Sequence, residues 1–284
     1  MSRRELALDR TDDALVAAVG RWRHVFAGAS VVTALFLLLP IVVILPIPFS
    51  EGEFLSWPPK GFSFRWYDRI LTDPVWTGAF WMSVRIALFA AALATLAGAS
   101  AALAMRRLPA GRASWLRTLF VAPVVLPCVV YALGLYNVFD ALRVIGATWP
   151  IVVGQSVLAF PIVFVAVSAA LASVGGGLTR AASSLGARWP VIVWRVELPM
   201  VRPNIAAAFI FAFAFCFDEV VVALFLAGPA APTFPLQIFT SARESASPDI
   251  AAASGLVITV ALVSFALSGA LLRHASRKNK GLHA

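Results

Sequence analysis

Six apolar runs, at about 25–48, 79–104, 115–136, 150–172, 204–227 and 250–272, constrain what this chain can fold into. Each reaches the roughly 20 residues that an α-helix, rising about 1.5 Å per residue, needs to cross a hydrocarbon core roughly 30 Å thick. Within such a solvent every backbone N–H and C=O must be paired inside the protein, which leaves helices or a closed barrel. The runs are continuous, as in Ile86-Ala-Leu-Phe-Ala-Ala-Ala-Leu93, and lack the alternation of barrel strands. The composition, 61% hydrophobic against 13% charged, agrees. The sequence therefore predicts an all-α, polytopic integral membrane protein with six transmembrane helices. Residues 25–272 form one spanning domain, and 1–24 and 273–284 are the terminal tails. The first run exceeds the length of a signal-peptide core and is expected to remain as an uncleaved helix.

Orientation follows from the basic residues, because positive charge is retained on the cytoplasmic side. With the N-terminus inside, seventeen of the 23 Lys and Arg fall in the inner segments; Lys60, Arg65, Arg69, Arg143 and Arg243 fall outside. Both termini are thus expected in the cytoplasm. The same distribution accounts for the net charge of +9 as a topological signal, with lipid as the partner and no nucleic acid. Cys128 and Cys216 lie in apolar runs without metal-ligand spacing and read as packing residues. His24, His274 and His283 fall in the terminal segments, so no metal site is indicated. In the second span Ala91, Ala94, Ala97, Gly98 and Ala101 supply small residues for close helix contact. The first outer segment, about 49–78, has room for a short interfacial helix, with Trp57, Trp66, Tyr67 and Trp76 at headgroup level.

Catalysis finds little support. No Gly-x-x-x-x-Gly precedes Lys60, Lys278 or Lys280, so the chain carries no phosphate loop of its own. No histidine stands near the membrane interior to activate a nucleophile. Asp218 and Glu219, in Phe217-Asp-Glu-Val220, are the carboxylates deep within a predicted span. A charge there is costly and calls for a water-filled path, a cation or a paired arginine. Either a cation pathway or a structural ion pair satisfies that requirement. Phe213 and Phe217 offer ring faces nearby, and Tyr131 and Tyr136 in span three are further pathway candidates.

The inner segment at about 173–203 contains Thr179-Arg-Ala-Ala-Ser-Ser-Leu-Gly-Ala-Arg-Trp-Pro190, followed by Val196-Glu-Leu-Pro199. It reads as a short helix, a turn at Gly186 that tolerates a left-handed backbone, and a second helix opening at Pro190. Pro199 and Pro203 are expected to break the chain before span five. This segment resembles the Glu-Ala-Ala signature of ABC importer permeases: Ala181, Ala182, Gly186, Leu198 and Pro199 stand at the matching positions, and Val196 replaces an isoleucine. Arg180 departs from the pattern, because it reverses the charge of the family's glutamate.

Val220–Pro229, Thr233–Ile238 and Ser247–Ser254 look like the spermidine/putrescine-type branch of that family, with looser agreement at Ser63–Tyr67 and Pro123–Pro127. The resemblance implies the ABC importer permease fold in a bacterial inner membrane. It also implies a coupling helix at about 181–193 that docks on the ATPase, with Arg180, Ala181, Ala182, Gly186, Ala187, Pro190, Leu198 and Pro199 as the coupling residues; Arg180, off the family pattern, either pairs with an acidic residue of the partner or faces headgroups. The implied partners are a second homologous permease, two ATPase subunits and an extracytoplasmic solute-binding protein. No cofactor is implied on this chain; ATP and magnesium belong to the ATPase. The implied solute is an amine, a polyamine first and aminobutyrate or aminoethylphosphonate as alternatives. An ion-coupled secondary carrier is the rival class, disfavoured by six spans without a detected repeat.

Overall fold

The structure is a computed structural model that describes residues 3–54, 57–173, 176–228, 232–244 and 247–280. His283 and the side chains of His24 and His274 lie outside that description. The helices are α1 (Arg3–Ile44), α2 (Arg65–Thr72), α3 (Pro74–Met105), α4 (Ala110–Val125), α5 (Cys128–Ala141) and α6 (Thr148–Ser173). They continue as α7 (Gly176–Ser184), α8 (Trp189–Ile192), α9 (Leu198–Asp218), α10 (Val221–Leu226), α11 (Phe234–Glu244) and α12 (Pro248–Lys280). No strand occurs among the described residues, where an isolated β-bridge joins Gly146 and Ala227.

Among the described residues, five segments are continuous and apolar enough to span a membrane: Val25–Phe49, Pro74–Met105, Thr148–Ser173, Trp189–Asp218 and Pro248–Arg273. The sixth, expected as one helix over 115–136, is instead α4 and α5 joined at a bend of 96°. Pro127 causes the break. It lacks an N–H and disfavours helical geometry at the residue before it, and Leu126 is accordingly extended, at φ −70° and ψ 132°.

α3 lies at the centre, packed against α6 and α9, and α12 packs on α9. Ala91, Ala94 and Gly98 are buried at the α3 contacts, whereas Ala97 is exposed. A β-carbon at Gly98 would stand 3.0 Å from Val163 Cβ and 3.1 Å from the Phe164 backbone nitrogen, so the α3–α6 approach requires a residue without one. α1 is different. The most apolar stretch of its span is unburied, and the main contact of α1 among the described residues is with the short 3-10 turn Ile47–Phe49.

The aromatics of the first outer segment divide in a way composition does not anticipate. Trp57 is exposed, but Trp66 and Trp76 are both buried within the protein. Trp66 Nε1 donates to the Ser50 carbonyl at 3.0 Å, which satisfies in the protein the polar group that would otherwise seek headgroups. The short helix expected in this segment is α2. After α10 the chain turns back into the bundle. The Phe234 amide donates to Ser83 Oγ of α3 at 2.7 Å, and its ring meets Trp76, Phe80 and Phe217.

Candidate functional site

Two regions along the fifth span gather the chemistry, one at its inner end and one near its outer end. At the inner end, α7 closes in a Schellman turn: the Ala187 amide donates to the Ala182 carbonyl at 3.1 Å and the Gly186 amide to Ser183 at 3.0 Å. This geometry requires a left-handed residue, and Gly186 has φ +80°. Pro190 follows in the first turn of α8, where a missing N–H costs nothing. The segment thus divides as the sequence suggests, into a helix, a glycine turn and a proline-opened helix.

Pro199 and Pro203 do not break the chain, contrary to expectation. α8 runs through a π-helical stretch, Val193–Glu197, directly into α9, so the second helix of the loop is a continuous extension of span five. The wider π turn shifts the hydrogen-bond ladder just before Pro199, which sits in the first turn of α9 where an absent N–H is tolerated.

Leu178, Ala181 and Leu185 form an exposed apolar stripe on α7 and its turn, and Leu185 is 89% exposed. Ala182 and Ala187 are half-buried; Arg180 and Pro190 are exposed. Leu198 is half-buried and Pro199 is exposed.

Five residues absent from the candidates drawn from the sequence, Glu197, Arg106, Thr179, Arg107 and Trp189, hold this segment. Glu197 is buried, and its Oε1 lies 3.0 Å from Arg106 Nη1 at the end of α3. The same oxygen accepts from Thr179 Oγ1 of α7 at 3.4 Å. One carboxylate therefore ties three elements together. The Arg107 guanidinium sits 4.6 Å from the centre of the Trp189 ring, a cation–π contact at the start of α8. A signal for Glu197 was present, since it is the lone acid in an otherwise basic inner segment.

Near the outer end, α9 stops at Asp218 and the chain resumes helix at Val221, so the two neighbouring carboxylates occupy a helix break. The break separates their roles. Glu219 is 9% exposed and its carboxylate accepts from the amides of Val221 at 2.8 Å and Val222 at 2.9 Å, at the opening of α10. Gln155 Nε2 donates to it at 3.5 Å and the Cys128 thiol at 3.7 Å. Such an anion needs no solute to be satisfied. Asp218 is exposed and its side chain has no hydrogen-bond or ion-pair partner among the described residues.

Asp218 shares its helix face with Phe215 and Phe211, at the three- and four-residue spacing that stacks side chains, and both rings are partly exposed. Phe217 points the other way, 2% exposed against Phe80, and Phe213 leans on it at 6.1 Å. Tyr131 donates its hydroxyl to the Gly154 carbonyl at 2.8 Å, while Tyr136 is exposed. The structure thus groups Asp218 with Phe211 and Phe215, and places the Phe213–Phe217 pair on the packed side.

A helical bundle with an arginine-rich inner loop built as helix, glycine turn and span extension is the fold of an ABC importer permease. It aligns over 93% of this chain, and 99% of the other, with a chain of a bacterial ABC transporter involved in the import of the acidic polysaccharide alginate, at a TM-score of 0.68 and 16% identity. By sequence the chain belongs to the family described as the binding-protein-dependent transport system inner membrane component, matched over residues 94–280. The spermidine/putrescine transport system permease protein PotC of Haemophilus influenzae is 29% identical over 240 residues, covering 84% of this chain and 92% of that one. The putrescine transport system permease protein PotI of Escherichia coli is 32% identical over 241 residues, covering 81% and 84%. The chain is a multi-pass permease subunit, and ATP hydrolysis belongs to a separate chain.

Proposed function

We propose that this chain is the permease of a bacterial inner-membrane importer for a polyamine such as spermidine or putrescine. Asp218 carries the reading. It is an unpartnered carboxylate beside partly exposed phenylalanines at a break in a membrane span, and a polycationic amine supplies the charge such a group lacks. The solutes named for the PotC and PotI relatives support the same class. Asp218→Asn in reconstituted transporter is expected to lower putrescine or spermidine uptake roughly ten-fold or more, as befits loss of a charge-assisted contact. Unchanged uptake with an intact complex would sink the polyamine assignment.

In this reading the segment 176–198 docks an ATPase, one of two that bind ATP and magnesium, and an extracytoplasmic binding protein delivers the solute from the other side. The apolar stripe ending at Leu185 supports docking, because so exposed a leucine on an aqueous face gains by being covered. Arg180, exposed beside it, is available to an acidic group of the ATPase. A second homologous permease supplies the other half of the pathway. The unburied α1 supports this, since the most apolar stretch of the first span is not covered by the described residues and offers its face to another chain. Closure of the ATPases then moves the docking segments, and rigid rotation of the bundles alternates access to the site.

A further inference from the structure

A cavity of about 380 Å³ lies between the arginine-rich ends of α3, α4 and α6, next to the inner-end region described above, with which it shares Arg106. Its walls are Ala102, Met105 and Arg106 of α3, the α4 face comprising Ala110, Ala113, Ser114 and Arg117, and Ser168, Leu171 and Ala172 of α6. The α4 residues recur at three- and four-residue intervals, so a single helix face is turned into the space. Two arginines and two serines are among its lining residues, and no aspartate or glutamate lines it among the described residues. Arg106 is committed to Glu197 through one nitrogen, which leaves its remaining donors available. The side chain of Arg117 has no partner among the described residues.

We propose that this cavity binds the phosphate headgroup of an anionic phospholipid from the cytoplasmic leaflet. Phosphate fits because planar guanidinium donors and hydroxyls match its oxygens, and the Glu197 carboxylate beside Arg106 is paired with that arginine and lies outside the lining. The position specifies the source. The cavity opens where spans two, three and four reach the inner interface, and its alanine, methionine and leucine walls suit glycerol and the first acyl carbons. A soluble phosphate matches the arginines and leaves that apolar wall exposed to water. Because Arg106 touches both the cavity and Glu197, a bound headgroup would bear on the turn that holds the inner segment of span five.

The test uses the assembled transporter, purified in detergent after incubation with phosphatidylglycerol or phosphatidylcholine, with retained lipid counted by native mass spectrometry. Wild type is expected to keep phosphatidylglycerol in preference to phosphatidylcholine, and Arg117→Gln to keep roughly five-fold less of it. Arg112→Gln, which changes a neighbouring arginine outside the lining, is expected to retain the wild-type amount. Equal retention by wild type and Arg117→Gln overturns the site, as does equal loss in Arg112→Gln, which would mark diffuse surface charge. A parallel titration with inorganic phosphate separates the sources: stabilisation by phosphate that depends on Arg117, without lipid preference, overturns the lipid assignment.

Discussion

Arg106 Nη1 lies 3.0 Å from Glu197 Oε1, and this ion pair links the inner end of span two to the π-helical stretch where the cytoplasmic helix becomes span five. Glu197 is 4% exposed, while the Arg106 side chain retains 26%, so the pair is buried on one side and wet on the other. Removing Arg106 leaves a buried anion, at a cost of about 2 kcal/mol given the remaining solvent. Arg106→Ala is expected to lower the melting temperature of the complex and to reduce uptake per ATP hydrolysed. Exchanging the two residues, Arg106→Glu with Glu197→Arg, should recover part of both losses. A double variant no better than the sum of the singles would show that the two side chains act independently.

Gly186 sits in open space, with no atom within 4 Å of where a β-carbon would stand, so the cost of replacing it is purely conformational. At φ +80°, Gly186→Ala costs about 1–2 kcal/mol and Gly186→Val more, because branching narrows the left-handed region further. Proteolysis of the inner loop is expected to speed up in that order, with ATP hydrolysis increasingly detached from uptake. Coupling that survives Gly186→Val would remove this turn from the docking role.

Leu185→Asp changes no packing in the isolated chain, since the side chain is 89% exposed. Co-purification of the ATPase with the permease is expected to fall sharply, while the permease itself keeps its melting temperature. Loss of permease stability instead would assign Leu185 to the fold.

Glu219 and Asp218 are neighbours with opposite consequences. Glu219→Ala strands the amides of Val221 and Val222 in a buried break, at about 1–3 kcal/mol for each unpaired group. It should destabilise the protein measurably in a detergent melt. Asp218→Ala breaks no hydrogen bond within the described residues and should leave the melt unchanged while lowering amine uptake.

Gly98→Val places side-chain atoms where a β-carbon already meets Val163 at 3.0 Å and the Phe164 backbone nitrogen at 3.1 Å, on a helix face that cannot yield. Overpacking at about 1–3 kcal/mol is expected, seen as a lower melting temperature, with Ala97→Val as the exposed comparison. Equal melts for the two variants would mean that α3 and α6 separate easily.

The apolar runs were enough to establish the all-helical membrane fold, because lipid leaves a backbone few ways to satisfy its polar groups. Local stereochemistry was equally legible at Gly186 and Pro190, whose turn depends on residues adjacent in sequence. What tertiary structure decided was which neighbours each residue met. The sequence placed Asp218 and Glu219 together, yet amides beyond a helix break, with Gln155 and Cys128 from other helices, satisfy one and leave the other free. Glu197 likewise gained its role only when Arg106, ninety-one positions earlier in the chain, was folded against it. Pro127 broke a span while Pro199 did not, because a π-helical shift of the hydrogen-bond ladder precedes the second and not the first. Hydrophobicity and turn geometry are properties of short stretches. Charge partners and ladder register depend on contacts that only the folded bundle brings into being.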